Sequence, residues 1–159
     1  MSGPDLNKDK SITTSAYEDK VRDTGFKYLE GKKIKSAAIN PSKDVVVLKT
    51  EEESIYLTWS GDCCAYCFLA HVEGASNLND AQILSVEQLD WKQQSEEDYE
   101  VVETMGTKIK TSKGYVVLET RLEHNGYYSG TIEISNIAPI GNYSDYLTTP
   151  TDLKPLEDF

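Results

Sequence analysis

Short runs of β-branched and aromatic residues, each stopped by turn chemistry, recur through the middle of the chain and constrain its fold more than any other feature. Val45-Val46-Val47-Leu48 is apolar throughout and predicts a strand buried on both faces. Ile55, Leu57 and Trp59 alternate with Tyr56 and Thr58, the period of a half-buried strand. Val116, Leu118, Thr120 and Leu122 share a face opposite Glu119, Arg121 and Glu123. Asn40-Pro41-Ser42-Lys43-Asp44 and Glu51-Glu52-Glu53 suit the turns between strands. Asn125-Gly126 is the strongest hairpin signal, because a type I′ turn needs positive φ at both central residues. It predicts a returning strand over 127–136 with Ile132 and Ile134 inward. Further strands are predicted over 34–39, 99–102, 108–111 and 83–91, the last bulged because its apolar set changes parity between Leu84/Val86 and Leu89/Trp91.

One stretch breaks the pattern. Gly61-Asp62-Cys63-Cys64-Ala65-Tyr66-Cys67 holds all three cysteines, and His71 follows. Cys64, Cys67, Phe68 and His71 stand at i, i+3, i+4 and i+7, which is the spacing of a helix face. Asp62 can cap such a helix and Glu73-Gly74 can end it. The expected fold class is therefore α+β: a largely antiparallel sheet of about six or seven strands with one short helix following Gly61-Asp62. Residues 1–28 read as a flexible or partly helical segment, 29–136 as a single α+β domain, and 137–159 as an acidic tail with three prolines, ordered only if it docks.

Charge narrows the function classes. The chain has 27 acidic and 16 basic residues, a net charge of −11. Residues 87–103 alone carry seven acids and one lysine. This balance argues against direct nucleic-acid binding through a phosphate-facing surface. It suits a basic protein partner, although acidity also serves solubility by itself. The expected partner-binding residues are Glu51, Glu52, Glu53, Glu96, Glu97, Asp98 and Glu100. No apolar run approaches the roughly 20 residues of a membrane span, and MSGPDLNKDK has no apolar signal region. An odd cysteine count in one cluster does not make a secreted disulfide framework, so a reducing cytoplasm is expected.

The cysteine cluster admits four readings. Zinc would use Cys64, Cys67 and His71, with Cys63, Asp62 or His124 as a further ligand; a structural site needs four, and no second Cys-x2-Cys exists. A redox pair would use Cys64 and Cys67, but the flanking pattern is a β-meander rather than the βαβ unit that such motifs occupy. A nucleophile would combine Cys63 with His124 and Asp62. The preferred reading is packing, with cysteines acting as small apolar side chains. No phosphate-cradling glycine loop is present. Lys108, Lys110, Lys113 and Arg121 are the residues that a small nucleotide signal would use.

A strand followed by Gly61-Asp62-Cys63-Cys64, a short helix ending His71-Val72-Glu73-Gly74, and then an Ile83-Leu84-Ser85-Val86-Glu87 strand resembles a family of small, functionally uncharacterised proteins from bacteria and their phages. The resemblance starts at Leu29-Glu30-Gly31-Lys32-Lys33-Ile34 and runs to about Ile134. It implies a host context and no activity. The leading expectation is a non-enzymatic acidic binding protein, a phage or mobile-element factor that occupies a host defence or nucleic-acid-binding protein. The alternatives are a metal-binding or thiol-dependent protein built on Cys63, Cys64, Cys67 and His71, and a binder of a nucleotide signal. No cofactor is expected, zinc being the one metal the cluster could hold.

Overall fold

Two antiparallel sheets pack face to face in the computed structural model, which describes residues 12–13, 26–61, 65–89, 92–97, 100–124, 130–137 and 152–159. In spatial order the first sheet is β1 (Ile12–Thr13), β11 (Gly130–Ile137), β5 (Ser54–Gly61), β4 (Val45–Lys49), β3 (Ser36–Ile39) and β12 (Lys154–Pro155). The second is β2 (Lys33–Ile34), β7 (Ala81–Gln88), β9 (Glu100–Thr111), β10 (Gly114–His124) and β6 (Tyr66–Glu73), with β8 (Lys92–Glu97) pairing with β9 beside β7.

The core lies between the sheets. Val46, Leu48, Ile55, Leu57, Trp59, Ile132 and Ile134 face it from the first sheet; Cys67, Leu69, Val72, Ile83, Met105, Ile109, Val116, Leu118 and Leu122 face it from the second. Phe26, Leu29, Ala75, Leu78 and Leu156 fill its margin. Alternation explains this directly: β-branched residues on every second position bury one face of each sheet. Val47 and Tyr56, register partners on the opposite face, are also buried, so Ser54–Gly61 is more enclosed than its alternating pattern predicts.

The α+β expectation is overturned: the protein is an antiparallel β-sandwich. The helical pieces among the described residues are one turn at 26–27 and a short 3-10 helix, Ala75–Leu78. The helix expected after Gly61-Asp62 is the strand β6, paired along its length with β10. A register shift explains the misreading. Leu69 and His71 pair with the consecutive residues Thr120 and Glu119, so Ala70 is an extra residue. The inward positions become Cys67, Leu69 and Val72, so Phe68 and His71, which the helical spacing had placed on the face of Cys67, leave it.

The hairpin expected at Asn125-Gly126 does not form between the neighbouring strands; those two residues lie outside the described segments. β10 is already flanked by β9 and β6, so Gly130–Ile137 crosses to the other sheet and pairs with β5 and β1. Ile132 and Ile134 do face inward. The tight turn of this region lies instead between Thr111 and Gly114, where Thr111 Oγ1 accepts from the Lys113 N–H at 3.1 Å. The bulge expected late in 83–91 falls earlier, at Leu84. Predicted strands 99–102 and 108–111 merge into the single twelve-residue β9.

Two features close the β6 edge. The Leu69 N–H donates to the Lys43 carbonyl at 2.8 Å, and Val72 and Phe159 exchange backbone hydrogen bonds at 3.0 and 3.1 Å. The segment 152–159 thereby ties both sheets together: Lys154 and Pro155 pair with β3, Leu156 enters the core, and Lys43 Nζ lies 4.1 Å from the centroid of the Phe159 ring. Gly74, with φ 77°, turns the chain out of β6, and a Cβ there would stand 2.2 Å from the Tyr115 carbonyl oxygen. That position needs glycine on both counts.

Candidate functional site

The acidic segment is strand rather than loop. Where β8 meets β9, Glu97 is the register partner of Glu100, and Glu96 that of Val101. Glu96, Glu97 and Glu100, expected to bind a partner, therefore gather at the end of one hairpin, while Asp98 lies outside the described residues. Like charges directly opposite one another in an antiparallel pair destabilise it by up to about 1 kcal/mol.

Glu51, Glu52 and Glu53 sit elsewhere. They follow β4 beside a cleft of about 430 Å³ lined by Lys32, Lys33, Lys35, Thr50 and Asp80. Lys35 pairs with Glu51 at 3.2 Å and Lys32 with Glu53 at 2.9 Å. Glu53 also accepts from the Tyr28 hydroxyl at 2.5 Å, and Lys32 lies over the Tyr28 ring. Burial first, and then this bond to Glu53, hold the Tyr28 phenol well above its ordinary pKa. The patch is of mixed sign, not acidic. It lies at the Thr111 end of the second sheet: the Asp80 N–H donates to the Lys35 carbonyl, and Lys113 Nζ donates to the Asn79 carbonyl. Glu100 is at the other end of β9, about 35 Å away at the strand rise of ~3.3 Å per residue. The two acidic groups do not make one surface.

The cysteine cluster is only partly described, since Asp62, Cys63 and Cys64 lie outside the described residues. Cys67 and His71 are not brought together. Cys67 faces the core, against Gly130, and burial pushes its thiol up to about 12. His71 is on the outward side with Glu73, 3.0 Å away, and that hydrogen bond raises its pKa. Among the described residues no group of three or more His, Cys, Asp and Glu is arranged to hold a metal ion. His124, written into the nucleophile reading, is instead 2.7 Å from Glu103, with its side chain 9 % exposed. That pair escaped the sequence reading, yet the parity of Val116, Leu118, Thr120 and Leu122 extends to His124 and marks it as inward.

The basic residues are dispersed. Lys108 and Lys110 are exposed on one side of β9, and Lys108 Nζ lies 4.3 Å from the centroid of the Tyr115 ring. Lys113 is held by the Asn79 carbonyl, and Arg121 Nε donates to Glu123 at 2.6 Å. No helix among the described residues is long and apolar enough to cross a membrane.

Fold and surface together define an antiparallel β-sandwich with an acidic strand at one sheet edge. The chain matches Domain of unknown function (DUF7448) over residues 27–134, well over half its length, and belongs to that family. No curated protein and no solved structure matches it.

Proposed function

We propose that the protein is a non-enzymatic binding module whose acidic β8–β9 hairpin engages a basic protein. The observation that carries this reading is the direct opposition of Glu97 and Glu100 in the hairpin register, with Glu96 next to Glu97 on β8. Folding gains nothing from that arrangement. Surfaces that break a local rule without structural return are where function concentrates. The dispersed lysines, with Lys113 held by a backbone carbonyl, and the outward-facing His71 give less support to a nucleotide pocket or a metal centre. A basic host protein that handles nucleic acid is the partner that the charge and the resemblance to bacterial and phage proteins favour. A reducing cytoplasm belongs to the same reading, supported by the free Cys67 thiol.

Affinity capture tests it. Wild type and the variant Glu96→Lys/Glu97→Lys/Glu100→Lys are each immobilised and exposed to host extract. A basic protein retained by the wild type and released by the variant, with binding weakening as salt rises, is the expected outcome. Retention of the same proteins by both would refute the acidic hairpin as the contact.

A further inference from the structure

The segment 152–159 lies in a slit between the two sheets, with β3 as one wall and β6 as the other. Among the described residues no other strand flanks β3 on the side away from β4, or β6 on the side away from β10. The slit holds an extended chain residue by residue. Lys154 and Pro155 pair with Ile39 and Ala38, and the Leu156 N–H donates to the Ala37 carbonyl at 2.9 Å. Leu156 enters the core. Asp158 Oδ1 accepts from the Ala75 N–H at 2.8 Å, and the same carboxylate accepts from the Gly74 N–H. Phe159 exchanges backbone hydrogen bonds with Val72 and packs its ring between the core and Lys43 Nζ.

Two observations separate the slit from its occupant. Its walls, residues 36–39, 43 and 66–75, all lie inside the range that matches the family, and the occupant lies outside that range. The occupant is also lightly held. Of its eight residues only Leu156 is buried; Asp152, Lys154, Pro155, Glu157 and Asp158 are exposed. Segments with few buried apolar side chains open locally before the fold as a whole. With this one out, the slit presents unpaired backbone groups on β3, the Val72 and Ala75 amides, and an apolar hole where Leu156 sat. Those are the parts of a site that binds by strand addition.

We infer that the β3–β6 slit is a peptide-binding groove, filled here by the protein's own segment and able to take an extended segment of a protein partner with the same chemistry. That segment carries an aliphatic residue, an aspartate two residues on, and an aromatic residue after it. The aliphatic side chain takes the place of Leu156, the carboxylate meets the Gly74 and Ala75 amides, and the aromatic ring meets Lys43. Main-chain bonds to β3 and Val72 supply affinity, and the three side chains supply selectivity. The groove is at the edge of the second sheet opposite the β7–β8 side, so it stands apart from the acidic-hairpin reading.

The tethered segment competes at an effective concentration of roughly millimolar, so the test first releases it. Leu156→Asp in the full chain does so, because a carboxylate does not enter an apolar core unpaired. The probe is a fluorescent peptide with the sequence of residues 152–159, Asp-Leu-Lys-Pro-Leu-Glu-Asp-Phe. A control peptide has serine in place of its second leucine and its phenylalanine. By fluorescence anisotropy the variant should bind the probe at least about tenfold more tightly than wild type does, and neither should bind the control. A variant that keeps the wild-type circular dichroism and does not bind the probe, or binds probe and control alike, would overturn the groove. Hydrogen exchange on the wild type keeps the test open if the variant fails to fold. The Leu156, Val72 and Ala75 amides should exchange at least about tenfold faster than those of Leu57 and Leu118; equal rates would make the segment a fixed strand of the fold and overturn the inference. A wild-type dimer in sedimentation equilibrium that Leu156→Asp dissociates would give the groove to a second copy's segment and overturn its assignment to a partner.

Discussion

Trp59 and Thr120 offer the most direct test of how the two sheets are held. Trp59 is on β5 and Thr120 on β10, and the indole Nε1–H donates to Thr120 Oγ1 across the core at 2.8 Å. Trp59 is 4 % exposed and Thr120 0 %, so water cannot take over either role. Thr120→Val keeps the shape and removes the acceptor. The indole has no second function to fall back on, since it only donates. A buried donor left without a partner costs about 1–3 kcal/mol, and the added methyl recovers up to ~0.8 kcal/mol. The net loss is then about 1–2 kcal/mol, a fall of roughly 3–8 °C in Tm for a chain of this size. Urea unfolding at fixed m-value measures it. Trp59→Phe removes the donor and part of a ring, and costs more. The double variant closes the cycle: with both partners apolar it falls short of the summed single losses by ~1 kcal/mol or more. A neutral Thr120→Val, or strict additivity in the double variant, would refute the claim that this bond couples the sheets.

Gly130→Ala puts a methyl 2.7 Å from Cys67 Sγ and 2.8 Å from its Cβ, so a loss of about 1–3 kcal/mol in chemical unfolding is expected, with a neutral result arguing against the close approach. The Cys67 thiol should resist disulfide reagents in the native protein at pH 8 and react on denaturation. Its folded pKa is raised from 9.0 to about 12, so the folded state holds the proton that the unfolded state releases, and stability should fall as pH rises above 9. Cys67→Ala should remove the part of that slope that begins near pH 9, leaving the loss above pH 10 that the raised Tyr28 phenol contributes; a slope unchanged near pH 9 would refute the role of the thiol. By NMR titration His71 should lose its proton above the ordinary imidazole value, and Glu73→Gln should return it towards that value with little change in stability, because both side chains are on the surface.

Local chemistry was legible wherever one strand's own pattern decided the outcome. Val45–Lys49 and the inward positions of Ile132 and Ile134 follow from β-branching and alternation alone. So does the concentration of acid in 87–103, although its conversion into a hairpin and a sheet edge does not. Where a single residue changed the register, the reading failed. Cys67 and His71, four apart, were read onto one helix face, and even a regular strand would keep them on one side; the extra residue Ala70 moves the inward set from Leu69 to Val72 and puts them on two.

What the sequence determined by itself was the β character of most of the chain, its charge and the inward residues of its clearest alternating strands, because side-chain shape and polarity act at every position independently of neighbours far along the chain. Tertiary structure decided which strands meet. Asn125-Gly126 favours a turn locally, but both sides of β10 are occupied by β9 and β6, and Gly130–Ile137 has its partners in the other sheet. The same competition separates Glu51–Glu53 from Glu96–Glu100. Strand pairing is settled by burial summed over two whole sheets, and no short stretch of sequence contains that sum.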